Sequence, residues 1–414
     1  MSRVHVRGAC PSLPEPMETG DGLLVRFLPI APMTLDAFIG LCEAACAHGN
    51  GTMEVSARGS LQVRGLTPLS APRFAAAIAA LDIDISEGVP VLADPLPDDP
   101  SALIDANGLA AQLRQAIAEA GLTLAPKVSV VVDGGGRLDL DALTADIRLC
   151  ALPTAEGPRF ELALAGDAAS AVPVAIVAAG DAVDEVLTRL KAIAARGAEA
   201  RARDVLQSPS GRRDPRTDSQ RSARAHPIGC HPLKSGAFAR GLGLAFGHAE
   251  ADALIELSLI AKAEGALWAR PVPGRALLFG TLGEANAEAT RQAAERLGFV
   301  TEASDPRRRI VACPGAPSCA QGLIAARALA AEIARHVSFP GDGTRARVAL
   351  HVSGCAKGCA HPKPAPLTIV GTEKGCGIVR DGTAQGRPTE HVDPADLVAR
   401  LDRIVAETRE AVHA

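Results

Sequence analysis

Two pairs of cysteines near the C-terminal end carry the clearest chemistry in the chain. Ala312-Cys313-Pro-Gly-Ala-Pro-Ser-Cys319-Ala-Gln-Gly322 holds a C-x5-C pair, and Val352-Ser-Gly-Cys355-Ala-Lys-Gly-Cys359-Ala-His-Pro362 holds a C-x3-C pair. A helical segment and a strand lie between them, and each pair sits in a Gly- and Pro-rich loop expected to open a helix. Four thiolates gathered this way suit a [4Fe–4S] cubane. Glycine and proline let backbone wrap closely around an inorganic core, and helix N-termini offer N–H donors to an anionic cluster. A structural zinc site is the competing metal reading, but its knuckles favour C-x2–4-C spacing, which C-x5-C exceeds. Four unrelated buried thiols are the plain alternative.

The elements that must position these loops can be read along the chain. An arm over residues 7–28 leads into a strand at Leu23–Leu28. Apolar spacing predicts a helix over Leu35–Ala47, stopped by Gly49-Asn50-Gly51; strands Thr52–Ser56 and Ser60–Gly65 and a helix over Ala71–Leu81 follow. This is the pattern of a ferredoxin-like half-domain. Asp36-Ala-Phe-Ile-Gly-Leu41 is echoed by Asp252-Ala-Leu-Ile-Glu-Leu257, and Leu61-Gln-Val-Arg-Gly65 by Ala276-Leu-Leu-Phe-Gly280. Between the copies come a helix Leu109–Ala120 closed by Gly121, a strand Val128–Val132 and the loop Asp133-Gly-Gly-Gly136. Strands Phe160–Ala165 and Val174–Val177 and a helix Val183–Ala195 ended by Gly197 complete that unit.

Lys127-Val-Ser-Val-Val-Val-Asp-Gly134-Gly135 lines up without gaps on Arg347-Val-Ala-Leu-His-Val-Ser-Gly354-Cys355. Gly135 stands where the second copy has Cys355, so only the second copy is expected to hold a cluster. The fold class expected is α+β in two duplicated halves, each a ferredoxin-like half-domain followed by an α/β cluster-type domain. The boundaries are 1–82, 83–197, a polar linker 198–228, 229–302 and the cluster domain 303–414.

Composition narrows the function. At 414 residues and 47% hydrophobic, the chain can fill more than one core. The net charge of −4, one Trp and no Tyr give neither the basic field nor the stacking surface of a nucleic-acid binder. The first residues have no apolar signal core and no apolar run is long enough to span a bilayer, so a cytoplasmic protein is expected. Ten cysteines, four in the cluster pattern, fit a reducing compartment.

Other residues attract plainer readings. Cys42 and Cys46 lie in an apolar helical stripe and are expected to pack in a core, while Cys10, Cys150, Cys230 and Cys376 have no partner spacing. His226, Cys230, His231 and His248 could form a metal site, but structural roles suit them better. Gly241-Leu-Gly243-Leu-Ala-Phe-Gly247 is not a dinucleotide fingerprint, so electrons are expected from another protein. Basic residues point to an anionic ligand: Arg58, Arg64, Lys127, Arg307-Arg308-Arg309, and Lys357 between two cluster cysteines. Arginine forks suit a ligand with several carboxylates.

These residues resemble the sulfite and nitrite reductase superfamily: the C-x5-C and C-x3-C pairs, the repeated halves, and an Arg-x3-Gln motif, here Arg58-Gly-Ser-Leu-Gln62. In the reductases the residue matching Cys359 bridges the cluster to sirohaem, and an arginine with paired lysines binds the oxyanion. The chain departs from them where Ala356-Lys357 replaces Pro-Asn, where Ser129 replaces the second lysine beside Lys127, and in being shorter. The departures look instead like the precorrin-3B synthases, on Arg7-Gly-Ala-Cys-Pro with Pro16-Met17-Glu-Thr-Gly-Asp-Gly-Leu-Leu-Val, on Val352–Pro362 and on Pro126–Gly135. That resemblance implies an oxygen-dependent monooxygenase of cobalamin biosynthesis that hydroxylates precorrin-3A at C20 and closes a γ-lactone. It implies one [4Fe–4S] cluster on Cys313, Cys319, Cys355 and Cys359, a mononuclear non-haem iron, and a separate NADH-dependent electron donor. Arg58, Arg64, Lys127 and Lys357 would hold substrate carboxylates, and His351 and His361 are the histidines to test as iron ligands. Under the alternative, a sirohaem-dependent reductase, the same pocket would hold sirohaem; a simple iron–sulfur carrier would not need the other 300 or so residues.

Overall fold

Four five-stranded sheets and the helices between them make up the described chain, residues 11–206, 224–337 and 348–404 of a computed structural model. The first sheet is antiparallel and runs β1 (Met17–Thr19), β2 (Gly22–Phe27), β5 (Leu61–Leu66), β4 (Thr52–Val55) and β13 (His248–Glu250). The second, also antiparallel, runs β11 (Gly229–Pro232), β12 (Phe238–Gly243), β15 (Ala276–Leu282), β14 (Trp268–Val272) and β3 (Met33–Thr34). Each sheet therefore takes its fifth strand from the other part of the chain. β3 leads straight into helix α1 (Leu35–His48), and β13 straight into the corresponding helix, α5 (Ala251–Ala263).

That exchange merges what the sequence reads as two half-domains into one apolar core. Val25, Phe38 and Phe74 share a cluster with Leu254, Leu277 and Phe279, and the Phe38 and Phe279 rings meet edge to face at 6.3 Å. α1 begins at Thr34, whose hydroxyl accepts from Ala37 N at 3.2 Å, and ends at Gly49. Strand alternation buries Leu61 and Val63 in this core and turns Gln62 and Arg64 to the opposite face of the sheet. Cys42 is buried there as expected. Cys46 is not core: it is exposed, its thiol 3.4 Å from Asp252 Oδ1, because a stripe this wide on one helix runs past the edge of the partner helix.

The third sheet has β6 (Val91–Leu92), β7 (Val130–Asp133) and β8 (Ala145–Leu152) in parallel, then β9 (Arg159–Gly166) and β10 (Val172–Val177) antiparallel. Helices α3 (Ala106–Ala120) and α4 (Ala182–Ala194) cover it. Asp105 caps α3 and Gly121, in the left-handed region at φ 57°, ends it. The fourth sheet has the same order and directions: β16 (Ile310–Ala312), β17 (Leu350–Ser353), β18 (Ala365–Thr372), β19 (Gly375–Gly382) and β20 (Glu390–Val392). Helix α7 (Ala326–His336) packs on it, and α6 (Glu284–Arg296) lies on the second sheet.

Two sequence expectations need correction. β8 is absent from them because Asp146 and Arg148 interrupt its apolar pattern. Both are buried, Arg148 donating to Leu143 O at 2.5 Å and Asp146 accepting from Arg201 Nε at 2.9 Å. The second cysteine pair opens a strand, β18, and not a helix; Pro362, Pro364 and Pro366 each bias the residue before them toward extended backbone. The ends of the expected linker are pinned: Arg201 pairs with Asp146 at 2.7 Å and Arg224 with the fully buried Asp133 at 2.5 Å. Residues 207–223, like Arg7 and Cys10, lie outside the described residues. Among the described residues no helix is long and apolar enough to cross a membrane.

Candidate functional site

The loop after β16 carries Cys313 and Cys319, and the loop after β17 carries Cys355 and Cys359. Parallel neighbours put both loops at the same end of the sheet. Their contact depends on missing side chains. A Cβ on Gly354 would lie 2.8 Å from Gly315 Cα and 3.4 Å from Cys313 Sγ, and one on Gly322 would lie 2.5 Å from Ala316 N. Gly354 N donates to Cys313 Sγ at 3.0 Å, a backbone donor aimed at a prospective thiolate. Burial pushes the Cys359 thiol up; Cys355, Cys313 and Cys319 push it further, and Lys357 pulls it down. Cys359 thus feels the charge of the other three cysteines, which places the four side chains in one neighbourhood.

The first sheet buttresses these loops. A Cβ on Gly20, in the β1–β2 turn, would lie 2.6 Å from Pro317 O and 2.7 Å from Cys319 C. Arg64 binds Asp21 through two nitrogens, at 3.0 and 2.9 Å, and also donates to Ser318 O inside the first cysteine loop. Burial alone would raise the Asp21 carboxyl, but Arg64 and Thr19 hold it below its ordinary value. Across the same face, Arg26 donates to Gln62 Oε1 at 2.8 Å, Gln62 to Glu54 Oε2 at 3.1 Å, and Arg327 of α7 pairs with Glu54 at 2.8 Å.

His351, on β17, is buried with both ring nitrogens unpartnered, and its ring meets His361 edge-on at 5.7 Å. Burial, then His361 and Arg275, push it down to about 4, so it is neutral at pH 7. Among the described residues no three His, Cys, Asp or Glu side chains are grouped to hold a metal ion. Elsewhere, His226 Nδ1 accepts from Ile228 N and His231 Nε2 lies 3.1 Å from Pro227 O; Cys150 and Cys376 are buried and Cys230 is exposed.

The four basic candidates do not converge. Arg58 is half-buried and donates to Thr144 O at 2.6 Å and Ser129 Oγ at 3.3 Å. Arg64 is taken up by Asp21 and Ser318. Lys127 is exposed, its carbonyl accepting from Arg201, and Lys357 is exposed between Cys355 and Cys359. A cavity of about 320 Å³ lies where the third sheet's loops, the β14–β15 hairpin and the start of β16 meet; none of the four lines it.

The chain is 40% identical over 418 residues to a precorrin-3B synthase of Sinorhizobium sp., covering 98% of this chain and 90% of the relative. The chain belongs to the precorrin-3B synthase family. No family model matches it. Among solved structures it is similar to the Mycobacterium tuberculosis NirA protein, with TM-score 0.69 and 17% identity over 93% of this chain and 80% of that one, a likeness of fold.

For a precorrin-3B synthase family member, the residues that sequence reasoning missed are Asp21, Arg26, Glu54 and Arg327. Two of them were legible as a period-two alternation: Arg26 and Glu54 lie opposite Gln62 across β2, β5 and β4. Arg327 has no such signal, because only tertiary packing brings α7 to the sheet.

Proposed function

We propose that the chain converts precorrin-3A to precorrin-3B, hydroxylating the macrocycle at C20 with γ-lactone closure. One oxygen atom of O2 enters the product and the other leaves as water, with two electrons from a separate NADH-dependent donor and two protons. The observation that carries the reading is the loop pair built around Cys313, Cys319, Cys355 and Cys359 in a chain of this family.

The donor set suits a [4Fe–4S] cluster in kind: four cysteines on two loops at one end of the sheet, a glycine cradle and an N–H aimed at one sulfur. When bound, the cluster supplies one-electron transfer. Arg64 fixes the Pro317–Ala320 backbone through Ser318, so its role in this reading is positioning. In this reading the exposed Lys357 and Lys127 face substrate carboxylates, and Arg58 adds one to its bonds to Thr144 O and Ser129 Oγ. A mononuclear iron fits less well, since His351 and His361 offer two imidazoles without a third grouped ligand among the described residues, and no step is assigned to it.

The matched strand orders support a duplication with domains near 1–82, 83–197, 229–302 and 303–414, only the last holding a cluster. The testing experiment is an absorption spectrum of anaerobically purified protein, followed by acid–acetone extraction. Cluster absorbance without extractable sirohaem is expected; an extracted iron isobacteriochlorin would move the reading to a sirohaem-dependent sulfite or nitrite reductase.

A further inference from the structure

The 320 Å³ cavity is large enough for a ligand, apolar over most of its wall, and studded with arginine. Leu140, Phe246 and Val311 supply apolar wall from three different units, and Arg275, Arg307 and Arg308 line it as well. Arg307 is committed: it pairs with Asp305 at 2.6 Å and donates to Gly298 O and Phe299 O. Arg275 and Arg308 are not. Among the described residues neither side chain has a hydrogen bond or ion pair, and Asp139, the acid in the wall, forms an ion pair with neither.

Burial pushes the Arg275 guanidinium down, with Arg327 adding to it. Burial likewise pushes Arg308 down, only partly offset by Asp305. Both remain charged at neutral pH, since arginine titrates far above it. Both residues are half-buried, so a guanidinium without a protein acceptor keeps only part of its hydration there, and a bound anion would supply the missing partner. The backbone adds a second sign. Arg275 sits in the β14–β15 hairpin at φ 61°, a left-handed conformation that glycine would adopt without strain, and a strained non-glycine residue beside a pocket points to use. His226, also in the wall, is pushed down to about 3 by burial, then Arg308, and adds no competing cation.

We infer that Arg275 and Arg308 are substrate-binding residues, each gripping a carboxylate of the polycarboxylated tetrapyrrole while Leu140, Phe246 and Val311 face its apolar body. The inference rests on the tetrapyrrole reading above and adds two carboxylate-binding groups to those proposed there.

Uroporphyrin III, an octacarboxylate tetrapyrrole, serves as probe, titrated into the full-length protein while its Soret band is followed. Arg275→Met and Arg308→Met should each weaken binding about tenfold or more, the loss of a charged hydrogen bond, and the double variant more than either. Arg73→Met, at an exposed site on α2 (Ser70–Ala79), should bind as wild type. Should a methionine variant fail to fold, Ala142→Trp, which fills the cavity from an exposed position, should abolish binding instead. Wild-type affinity in Arg275→Met, Arg308→Met and Ala142→Trp would overturn the inference and leave the tetrapyrrole reading standing. A wild-type protein that does not bind the probe would overturn both.

Discussion

Asp94 and Cys313 occupy matching places after the first strands of the third and fourth sheets, and each accepts a backbone hydrogen bond from a matching glycine. Gly134 N donates to Asp94 Oδ1 at 2.8 Å, and Gly354 N to Cys313 Sγ at 3.0 Å. The match extends further. Leu103 N bonds Gly134 O at 2.8 Å as Leu323 N bonds Gly354 O at 2.7 Å, which sets Asp99 against Cys319, Gly135 against Cys355 and Asp139 against Cys359. Where one unit carries thiols, the other ties its loops with carboxylates: Asp99 accepts from Ser101 N and Arg137 N, and Asp133 holds Arg224.

This carboxylate lock should make stability depend on pH. Burial, then the charge of Asp133, push the Asp94 carboxyl up to about 7, with Gly134 N and Arg224 opposing and Asp99 adding to the rise. A raised carboxyl pKa means the folded chain keeps a proton that the unfolded chain has released, so this contribution to stability falls as pH rises from about 4 to about 7. Asp94→Asn, which keeps the acceptor and cannot ionise, should flatten that slope. Urea unfolding across the window measures it.

The cluster assignment makes a spectroscopic prediction. Cys313→Ser, Cys319→Ser, Cys355→Ser and Cys359→Ser should each lose visible absorbance and bound iron, whereas Cys42→Ala, in the apolar core, should retain both. Iron and sulfide analysis of anaerobically purified variants decides it, and full iron content in all four serine variants would sink the assignment.

Arg64 is expected to act through the loop it holds. Arg64→Met leaves the half-buried Asp21 without its cation, a loss of about 1–3 kcal/mol, and frees Ser318 O. Thermal unfolding should shift down, and cluster content should fall in proportion to loop disorder. Arg64→Lys, which keeps the charge and loses the fork, should recover only part of both.

Lys357 should behave differently. It is exposed and stands between two of the cysteines, so Lys357→Ala should leave iron content and unfolding unchanged while weakening retention of precorrin-3A. Unchanged retention in an equilibrium binding assay would remove it from the substrate site.

Much of this was legible in local pattern. The cysteine spacing, the Gly134/Gly354 alignment and α1 with its Thr34 cap and Gly49 stop all depend on residues close in sequence. What escaped depends on tertiary structure. β8 hides because Asp146 and Arg148 look like surface charges until Arg201 and the Leu140 and Leu143 carbonyls arrive to satisfy them. The exchanged strands β3 and β13 are two and three residues long, too short for any periodicity to register. Arg308 showed in the sequence as one of the basic residues Arg307-Arg308-Arg309 and Arg275 gave no signal; three distant segments close a cavity around both.

The most direct measurement incubates the purified protein with precorrin-3A, an NADH-driven electron donor and ¹⁸O2, and reads the product by mass spectrometry. The account requires a product heavier by one oxygen atom, with that atom ¹⁸O, and no product when oxygen is withheld. Unchanged precorrin-3A together with turnover of sulfite or nitrite by the same preparation would contradict it.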